Sequence, residues 1–421
     1  MTTETTETTG ISGTTGTAGT AGISGGAVTT GNSRSTGSTG STEGTGGTGN
    51  STALDELLGE LREYLSPVPP AMSLPPRAFA SPELYERERE VIFARSWVLI
   101  GHVDQFARPG DYLALDIAGE PVVVTRGKDG ALHGMSPVCR HRLMPLVEPG
   151  QGNTKDFTCS YHLWRYDLSG KLIAATHMRN NPDFDPASCR LPGFAVEEWH
   201  GLVYVNLDPE ARPLAEELAL VEAEMTNYRL DDMVLVSHWT EDWNCNWKVA
   251  VENGYENYHA IGFHPETVKP LMTGGIDMDV HYDSPTVSRL LTPAGNPTPP
   301  AVLPLTEEEQ KVLYSFRVFP CGSIATFGET IAWLSLIPVS LDRTIVRGGT
   351  LMPRQLVEQV GLENLRGPLE KFTEQVNAED RRGLEAVQRS ITSRYAARGH
   401  LSPKEPGLLA FYRSLAHAVA R

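Results

Sequence analysis

Two short Cys/His pairs constrain the fold of this 421-residue chain more than any other feature. Cys139 and His141 form a C-x-H pair, and after seventeen intervening residues Cys159 and His162 form a C-x-x-H pair. Each pair brings one thiolate and one imidazole to the tip of a loop. A domain that holds the two loops face to face collects four metal-binding side chains at one point.

Two cysteines and two histidines suit two kinds of metal site. Two Cys on one iron and two His on the other form the ligand set of a Rieske 2Fe-2S centre, whereas a structural zinc site also accepts Cys2His2. The spacing, within a region of strands and turns, favours the iron–sulfur centre. The other cysteines, Cys189, Cys245 and Cys321, have no histidine at ligand spacing, and we expect them to be buried thiols.

The hydrophobic pattern divides the chain into four parts. Residues 1–53 form a tail rich in Thr, Gly and Ser that we expect to be disordered. Residues 54–96 predict helices that pack on the catalytic domain, beginning with a leucine stripe at helical spacing. Residues 97–212 predict a small all-β domain with hairpin turns at 127–130 and 169–170. Residues 213–421 predict an α+β domain with an antiparallel sheet and a helical end.

A second group of metal-binding side chains lies in residues 246–265. Glu252, Glu256 and His259 fall on one face of a predicted helix. His264 follows five residues later, too far for the same face, but a glycine and a proline beside it predict that the helix ends and the chain bends. Two neutral imidazoles and one carboxylate form the facial triad of non-haem iron(II) oxygenases.

The third ligand of such a triad must come from another part of the chain. Asp380 is our choice, because Asp380, Leu384, Val387 and Ile391 form a helical stripe that is apolar apart from the acid. A carboxylate on the buried side of a helix requires a partner. Glu379 is the alternative.

Composition and charge exclude several classes of protein. Thirty-six Lys and Arg face 52 Asp and Glu, a net charge of −16 that argues against nucleic-acid binding. No apolar run reaches the length of a membrane span, and the N-terminus lacks the pattern of a secretory signal. Five cysteines, an odd number, favour a reducing compartment over a disulfide framework. We therefore expect a cytoplasmic protein with no membrane or nucleic-acid partner.

Together the two groups resemble the oxygenase (α) subunit of the Rieske non-haem iron oxygenases, over roughly residues 54–400. The resemblance implies a Rieske domain followed by a helix-grip-like catalytic domain, in which an antiparallel sheet is wrapped by helices. It implies a Rieske 2Fe-2S cluster on Cys139, His141, Cys159 and His162, and a mononuclear Fe(II) on His259, His264 and Asp380. It also implies a homotrimer in which one subunit's Rieske centre faces the next subunit's mononuclear iron.

The resemblance also implies how electrons reach the iron. A separate flavin and iron–sulfur reductase would take electrons from NAD(P)H, because the chain has no Gly-rich dinucleotide motif of its own. Glu256 would occupy the position of the carboxylate that bridges the Rieske centre and His259 across the subunit boundary. Its context, Glu252-Asn253-x-x-Glu256-x-Tyr258-His259, is similar to the branch that acts on choline, carnitine and betaines.

The resemblance to that branch predicts an O2-dependent monooxygenation or N-demethylation of a small betaine-like compound. Ring hydroxylation and N-oxygenation of a specialised metabolite remain alternatives within the enzyme class. A Rieske electron carrier and a zinc-stabilised binding module are the alternatives outside it. A quaternary ammonium substrate favours an aromatic cage. The candidates for such a cage in the sheet region are Tyr282, Phe316, Phe319, Phe327 and Trp333. Aromatic residues in strands more often belong to a hydrophobic core, which is the alternative.

Overall fold

The computed structural model describes residues 48–295 and 302–421, so most of the predicted tail lies outside the described residues. The first helix, α1 (Thr48–Arg62), begins six residues before Leu54, where the sequence placed the onset of order. Helices α2 (Arg77–Ala80) and α3 (Pro82–Glu88) follow. The predicted N-cap is confirmed, since the Ser81 hydroxyl accepts a hydrogen bond from the backbone N–H of Leu84 at 3.1 Å.

The next region is an all-β domain built on two sheets. Seven antiparallel strands pair in the order β1-β10-β9-β4-β3-β2-β5, and a small sheet pairs in the order β6-β7-β8. Both predicted hairpins are present, as β3–β4 and β7–β8. The strands are β1 (Val98–His102), β2 (Asp111–Ile117), β3 (Glu120–Arg126), β4 (Leu132–Met135), β5 (Gly150–Asn153), β6 (Phe157–Thr158), β7 (Arg165–Tyr166), β8 (Leu172–Ala174), β9 (Gly193–Trp199) and β10 (Leu202–Asn206).

The rest of the described chain is α+β, with one antiparallel sheet in the order β11-β17-β16-β15-β14-β13-β12. Its strands are β11 (Met233–Trp243), β12 (Asp279–Tyr282), β13 (Val287–Pro293), β14 (Val312–Val318), β15 (Gly322–Phe327), β16 (Thr330–Ser340) and β17 (Arg343–Pro353). Its helices are α4 (Leu214–Glu224), α5 (Trp247–Gly254), α6 (Ala260–Phe263), α7 (Arg354–Val360), α8 (Leu362–Ile391) and α9 (Pro406–Val419). None of the helices described is long and apolar enough to cross a membrane.

The two faces of this sheet differ in how tightly they are covered. One face supplies Phe316, Ile324 and Trp333 to a core that also contains buried leucines of α4. On the other face, Leu313, Ser315 and Arg317 of β14 are only partly buried, although α5, α8 and α9 lie on that side. Phe316 and Trp333 are therefore core residues, which agrees with the alternative that the aromatic residues of the strands form a core instead of a substrate cage.

A buried ion pair ties the N-terminal helices to the catalytic region. Lys248 of α5 lies 2.7 Å from Glu88 of α3, and both side chains have no solvent exposure. The indole N–H of Trp247 donates to the same carboxylate at 2.8 Å. Removing one partner of such a pair leaves an uncompensated buried charge, so α3 fixes the helix that leads into the second metal-binding segment.

Candidate iron–sulfur and mononuclear iron sites

The loops that carry the two Cys/His pairs have the same backbone conformation. The carbonyl of Cys139 accepts a hydrogen bond from the N–H of Leu143 at 3.1 Å, and that of Cys159 from the N–H of Leu163 at 3.0 Å. Both leucines adopt the left-handed conformation, with φ of 56° and 58°. Two equivalent turns therefore carry the two Cys/His pairs.

The four side chains converge at the tip of the domain. Both cysteines are buried, and the rings of His141 and His162 lie 4.5 Å apart between centroids. The Nδ1 atoms of both histidines are buried and have no hydrogen-bond partner in the part of the chain that the structure describes. Buried nitrogen atoms without a partner are costly unless they bind something, so the donor set fits a Rieske cluster.

Two aromatic residues support this donor set, and sequence reasoning missed both. The Trp164 ring stacks on His141 with centroids 4.8 Å apart and an interplanar angle of 10°. The Tyr166 hydroxyl lies 3.4 Å from Cys139 Sγ and accepts a hydrogen bond from the backbone N–H of Arg140. Its proton is thus free to point at the sulfur. In the sequence, the indication of their role was their position directly after the second Cys/His pair.

The second metal-binding segment differs from the predicted single helix. Helix α5 ends at Gly254 and α6 begins only at Ala260, so Glu252, Glu256 and His259 do not share one helical face. The Glu256 carboxylate explains the interruption, because Oε2 accepts the backbone N–H of His259 at 2.9 Å and competes with helical hydrogen bonding. The predicted bend after α6 is present, and His264 follows the last residue of that helix.

The two histidines of this segment meet Asp380 of α8. Asp380 Oδ1 lies 2.9 Å from Nε2 of His264 and 3.9 Å from Nε2 of His259. One ligand atom from each of the three residues falls within 4.8 Å of the others, and Asp380 Oδ1 accepts no hydrogen bond. The arrangement fits a single divalent ion with open positions.

A carboxylate holds the far nitrogen of each histidine. Glu256 Oε1 lies 2.6 Å from Nδ1 of His259, and Glu379 Oε2 lies 2.7 Å from Nδ1 of His264. Such contacts fix the tautomer in which Nδ1 carries the proton and Nε2 is free to bind a metal. Glu379, the alternative third ligand, therefore contacts the far side of His264. Its place beside Asp380 in one helix was the only signal in the sequence.

Electrostatics keep Glu379 ionised beside this histidine. Burial favours the neutral acid, but hydrogen bonds from the Thr267 hydroxyl and from His264 lower the pKa of Glu379 below its usual value. The contact from Thr267 Oγ1 is 2.6 Å. A charged carboxylate raises the basicity of the imidazole that it holds.

Two smaller expectations were wrong. Val387, placed on the buried stripe of α8, is 46 % exposed, and the buried residues of that helix are instead Asn377, Asp380 and Leu384. Helix α8 packs on the sheet mainly through its middle, where Asn377 reaches Glu241 of β11 at 2.7 Å. All five cysteines are free, but Cys189 is only partly buried, unlike Cys245 and Cys321.

Comparison with known proteins identifies two families along the chain. Residues 96–194 match the family described as Rieske [2Fe-2S] domain, and residues 230–421 match Ring hydroxylating alpha subunit (catalytic domain). The carnitine monooxygenase oxygenase subunit of Escherichia coli is 25 % identical over 353 residues, which cover 82 % of this chain and 92 % of that protein. The glycine betaine monooxygenase oxygenase subunit of Pseudomonas aeruginosa is 32 % identical over 203 residues, 48 % of this chain and 47 % of that protein.

A solved structure shows the same fold. A quaternary ammonium Rieske monooxygenase in complex with gamma-butyrobetaine matches with a TM-score of 0.70 and 24 % identity, over 85 % of this chain and 98 % of that one. The Rieske and catalytic family matches together span most of residues 96–421. The chain belongs to the Rieske non-haem iron oxygenases, as an O2-using oxygenase subunit that takes a Rieske 2Fe-2S cluster and a mononuclear iron.

Proposed function

We propose that this protein is a monooxygenase of small betaine-like quaternary ammonium compounds. The grouping of His259, His264 and Asp380 around one point carries the oxygenase part of the proposal. The substrate part is supported by the relatives whose names include carnitine and glycine betaine. Oxidation of a methyl group on nitrogen, followed by loss of that carbon, is the reaction we expect.

The proposed metal ligands of the chain form two separate centres. Cys139, His141, Cys159 and His162 would hold the cluster, and His259, His264 and Asp380 would hold the mononuclear iron. When bound, these groups supply one-electron transfer and the activation of O2, respectively. Glu256 and Glu379 keep the protons of His259 and His264 on Nδ1, so that both Nε2 atoms stay available.

Glu256 also suits the proposed route of electrons between subunits. Its carboxylate is 9 % exposed, and both of its oxygens contact His259, Oε1 at 2.6 Å from Nδ1 and Oε2 at 2.9 Å from the backbone N–H, so the proposed bridge lies directly against a proposed iron ligand. The tip of the Rieske domain exposes Leu143 by 80 % and Leu163 by 57 %. Apolar side chains exposed beside the cluster suit burial against a neighbouring catalytic domain. A homotrimer, with the Rieske domain at 97–212 and the catalytic domain at 213–421, is part of the proposal.

The electron donor is a separate reductase, in keeping with an oxygenase subunit. That this reductase uses NAD(P)H, and that both proteins work in the cytoplasm, belong to the proposal. All five cysteines are free, which suits a reducing compartment.

Oxygen uptake with defined substrates tests the function. Anaerobically prepared protein should hold about three irons per chain, two in the cluster and one mononuclear, with a Rieske-type resonance signal after reduction. With an NAD(P)H-dependent reductase, glycine betaine or carnitine should elicit oxygen uptake and formation of the oxidised or demethylated product. His264→Ala should abolish turnover and keep the Rieske signal.

Three results would contradict the proposal. Product from aromatic hydrocarbons but from no quaternary ammonium compound would indicate a ring-hydroxylating enzyme. A full Rieske signal with no oxygen uptake on any substrate, despite a loaded mononuclear site, would indicate an electron carrier. Bound zinc in place of iron at the Cys/His loops would exclude an oxygenase function.

A further inference from the structure

Arg317 of β14 is a partly buried arginine whose guanidinium has no carboxylate partner among the described residues. None of the ion pairs within residues 48–295 and 302–421 involves it, and its charge faces the Tyr255 ring at 5.5 Å. Burial lowers the pKa of Arg317 to about 10, which still leaves it protonated at neutral pH. A cation partly buried in this way is costly unless an anion joins it.

One edge of this guanidinium is unused. Nη1 donates to the Ser323 hydroxyl at 3.0 Å. Within the described residues, the buried Nε has no hydrogen-bond partner, and the bond from Nη1 is the one that the guanidinium donates, so Nη2 is unused as well. The Nε and Nη2 protons form the side edge with which arginine grips both oxygens of a carboxylate.

Arg317 lies on the sheet face that fronts the segment of the proposed iron ligands. Thr292 and Leu313 are directly paired across β13 and β14 and share a face with Arg317. Asn257, two residues before His259, donates to the Thr292 hydroxyl at 2.9 Å. A methyl group at Gly254 would come within 2.8 Å of Arg317 Nη1, so the guanidinium lies directly beneath the end of α5.

The sheet face beside Arg317 carries short side chains. Ser315 is paired with Ala325, and Ala325 with Ala332, so three small residues run side by side across three strands. All three are partly accessible, although helices lie on this side of the sheet. The Ser315 hydroxyl is buried and has no hydrogen-bond partner among the described residues, so it is a second unused polar group on the same face of β14 as Arg317.

We propose that Arg317 binds the carboxylate of the substrate through its Nε and Nη2 protons, with Ser315 beside it. This inference rests on the proposed function and narrows the substrate to quaternary ammonium compounds that also carry a carboxylate. A choline-type alcohol leaves the guanidinium without an anion, and sites with unpaired buried polar groups reject such analogues strongly. Arg317 is thus a specificity-determining residue.

Binding measurements on the metal-loaded protein test this role. Calorimetric titrations without oxygen would compare glycine betaine with choline for the unchanged protein, Arg317→Gln and Arg317→Lys. We expect Arg317→Gln to weaken glycine betaine binding by roughly 10- to 150-fold, as for the loss of a hydrogen bond to a charged group, and to change choline binding less than about threefold. Arg317→Lys keeps the charge but lacks the two-proton edge, so its loss should be smaller.

A matched control comes from the opposite face of the same sheet. Arg347 of β17 is also buried and also has its pKa lowered to about 10 by burial. Its Nε donates to the carbonyl of Ile100 in the Rieske domain at 2.9 Å, which places it away from the proposed substrate space. Arg347→Lys should leave the ratio of glycine betaine to choline affinity unchanged. If Arg317→Gln does not fold, Arg317→Lys with this control decides the question.

The outcomes separate this inference from the function on which it rests. Equal affinity ratios in the unchanged protein and both Arg317 variants, with glycine betaine still oxidised, would overturn the role of Arg317 and leave the function intact. Binding of benzoate, but of no quaternary ammonium compound, with loss in Arg317→Gln, would retain the carboxylate site and reject the function. Absence of binding by any carboxylate would overturn the inference.

Discussion

Glu379 contacts Nδ1 of His264 at 2.7 Å, on the ring edge opposite the nitrogen that approaches Asp380. Two adjacent acids of one helix therefore have different positions around one histidine. Asp380 lies beside Nε2 of His264, the position of a proposed metal ligand, whereas Glu379 lies beside Nδ1, the position of a group that orients the histidine. The distinction leads to different expectations for the two side chains.

Replacing Glu379 by Gln should weaken the binding of mononuclear iron by about 10- to 100-fold, the usual cost of losing a carboxylate that orients a ligand. Asp380→Ala should remove the iron site outright, and the Rieske spectrum should persist in both variants. Iron titration of protein stripped of mononuclear iron would measure the difference. Glu374→Gln, on an exposed position of the same helix, is the control. Equal iron affinity in Glu379→Gln and the control would refute the orienting role.

Replacing Glu256 by Gln should slow electron transfer even when both centres are loaded. The amide oxygen can still accept the Nδ1 proton of His259, but the lost carboxylate should weaken binding of the mononuclear iron as in Glu379→Gln, so the variant is compared at saturating iron. The lost charge should slow reoxidation of the reduced cluster by at least about tenfold, equivalent to a barrier increase of roughly 1.4 kcal/mol. Stopped-flow absorbance of the reduced protein, mixed with substrate and oxygen, follows this step. Unchanged reoxidation would exclude Glu256 from the route.

Replacing Tyr166 by Phe should lower the reduction potential of the Rieske centre. Its hydroxyl lies 3.4 Å from Cys139 Sγ, and a hydrogen bond to a ligand sulfur stabilises the reduced, more negative cluster. A bond of about 1 kcal/mol corresponds to a shift of roughly 40 mV for one electron. Protein-film voltammetry would measure the shift, and Tyr112→Phe in the neighbouring strand β2 serves as a control. A potential equal to that of the unchanged protein would show that the hydroxyl does not donate to the sulfur.

Glu252 should make the stability of the fold depend on pH. Burial raises the pKa of Glu252 from 4.5 to about 8, partly offset by Tyr412 and Lys248. The folded protein thus keeps a proton that the unfolded chain releases, so this contribution is complete below pH 4.5 and is lost as pH rises towards 8. The loss approaches about 1.4 kcal/mol per pH unit at most.

Glu252→Gln has no carboxyl proton to release at this position. Comparison with this variant therefore isolates the contribution of Glu252 to the pH dependence of stability. Its thermal midpoint should fall less between pH 5.5 and pH 8 (roughly the range over which one buried acid acts) than that of the unchanged protein. Glu370→Gln, an exposed position on α8, should behave as the unchanged protein does. Parallel midpoint curves for all three proteins would show that Glu252 is ionised throughout.

Local patterns in the sequence predicted the turns around the candidate site. The turns that carry the Cys139/His141 and Cys159/His162 pairs, and the glycine-containing turns of the hairpins, depend on a few neighbouring residues, and each is present in the structure. The same is true of the bend that returns His264 towards His259. The predicted helix through Glu256 failed because a side chain competed with the backbone for the N–H of His259, and hydrophobic periodicity does not register such a contact.

The sequence alone determined which metal-binding side chains this protein has, because the type of ligand and the short spacing between ligands are local properties of the chain. Only the tertiary structure decided how the distant groups are used. It placed Asp380 against the Nε2 atoms and Glu379 against Nδ1, and it placed Arg317 on the sheet face beneath α5 with no anion among the described residues. These relationships depend on packing between a helix, a sheet and a loop far apart in sequence, where an error of one residue turns a side chain to another face.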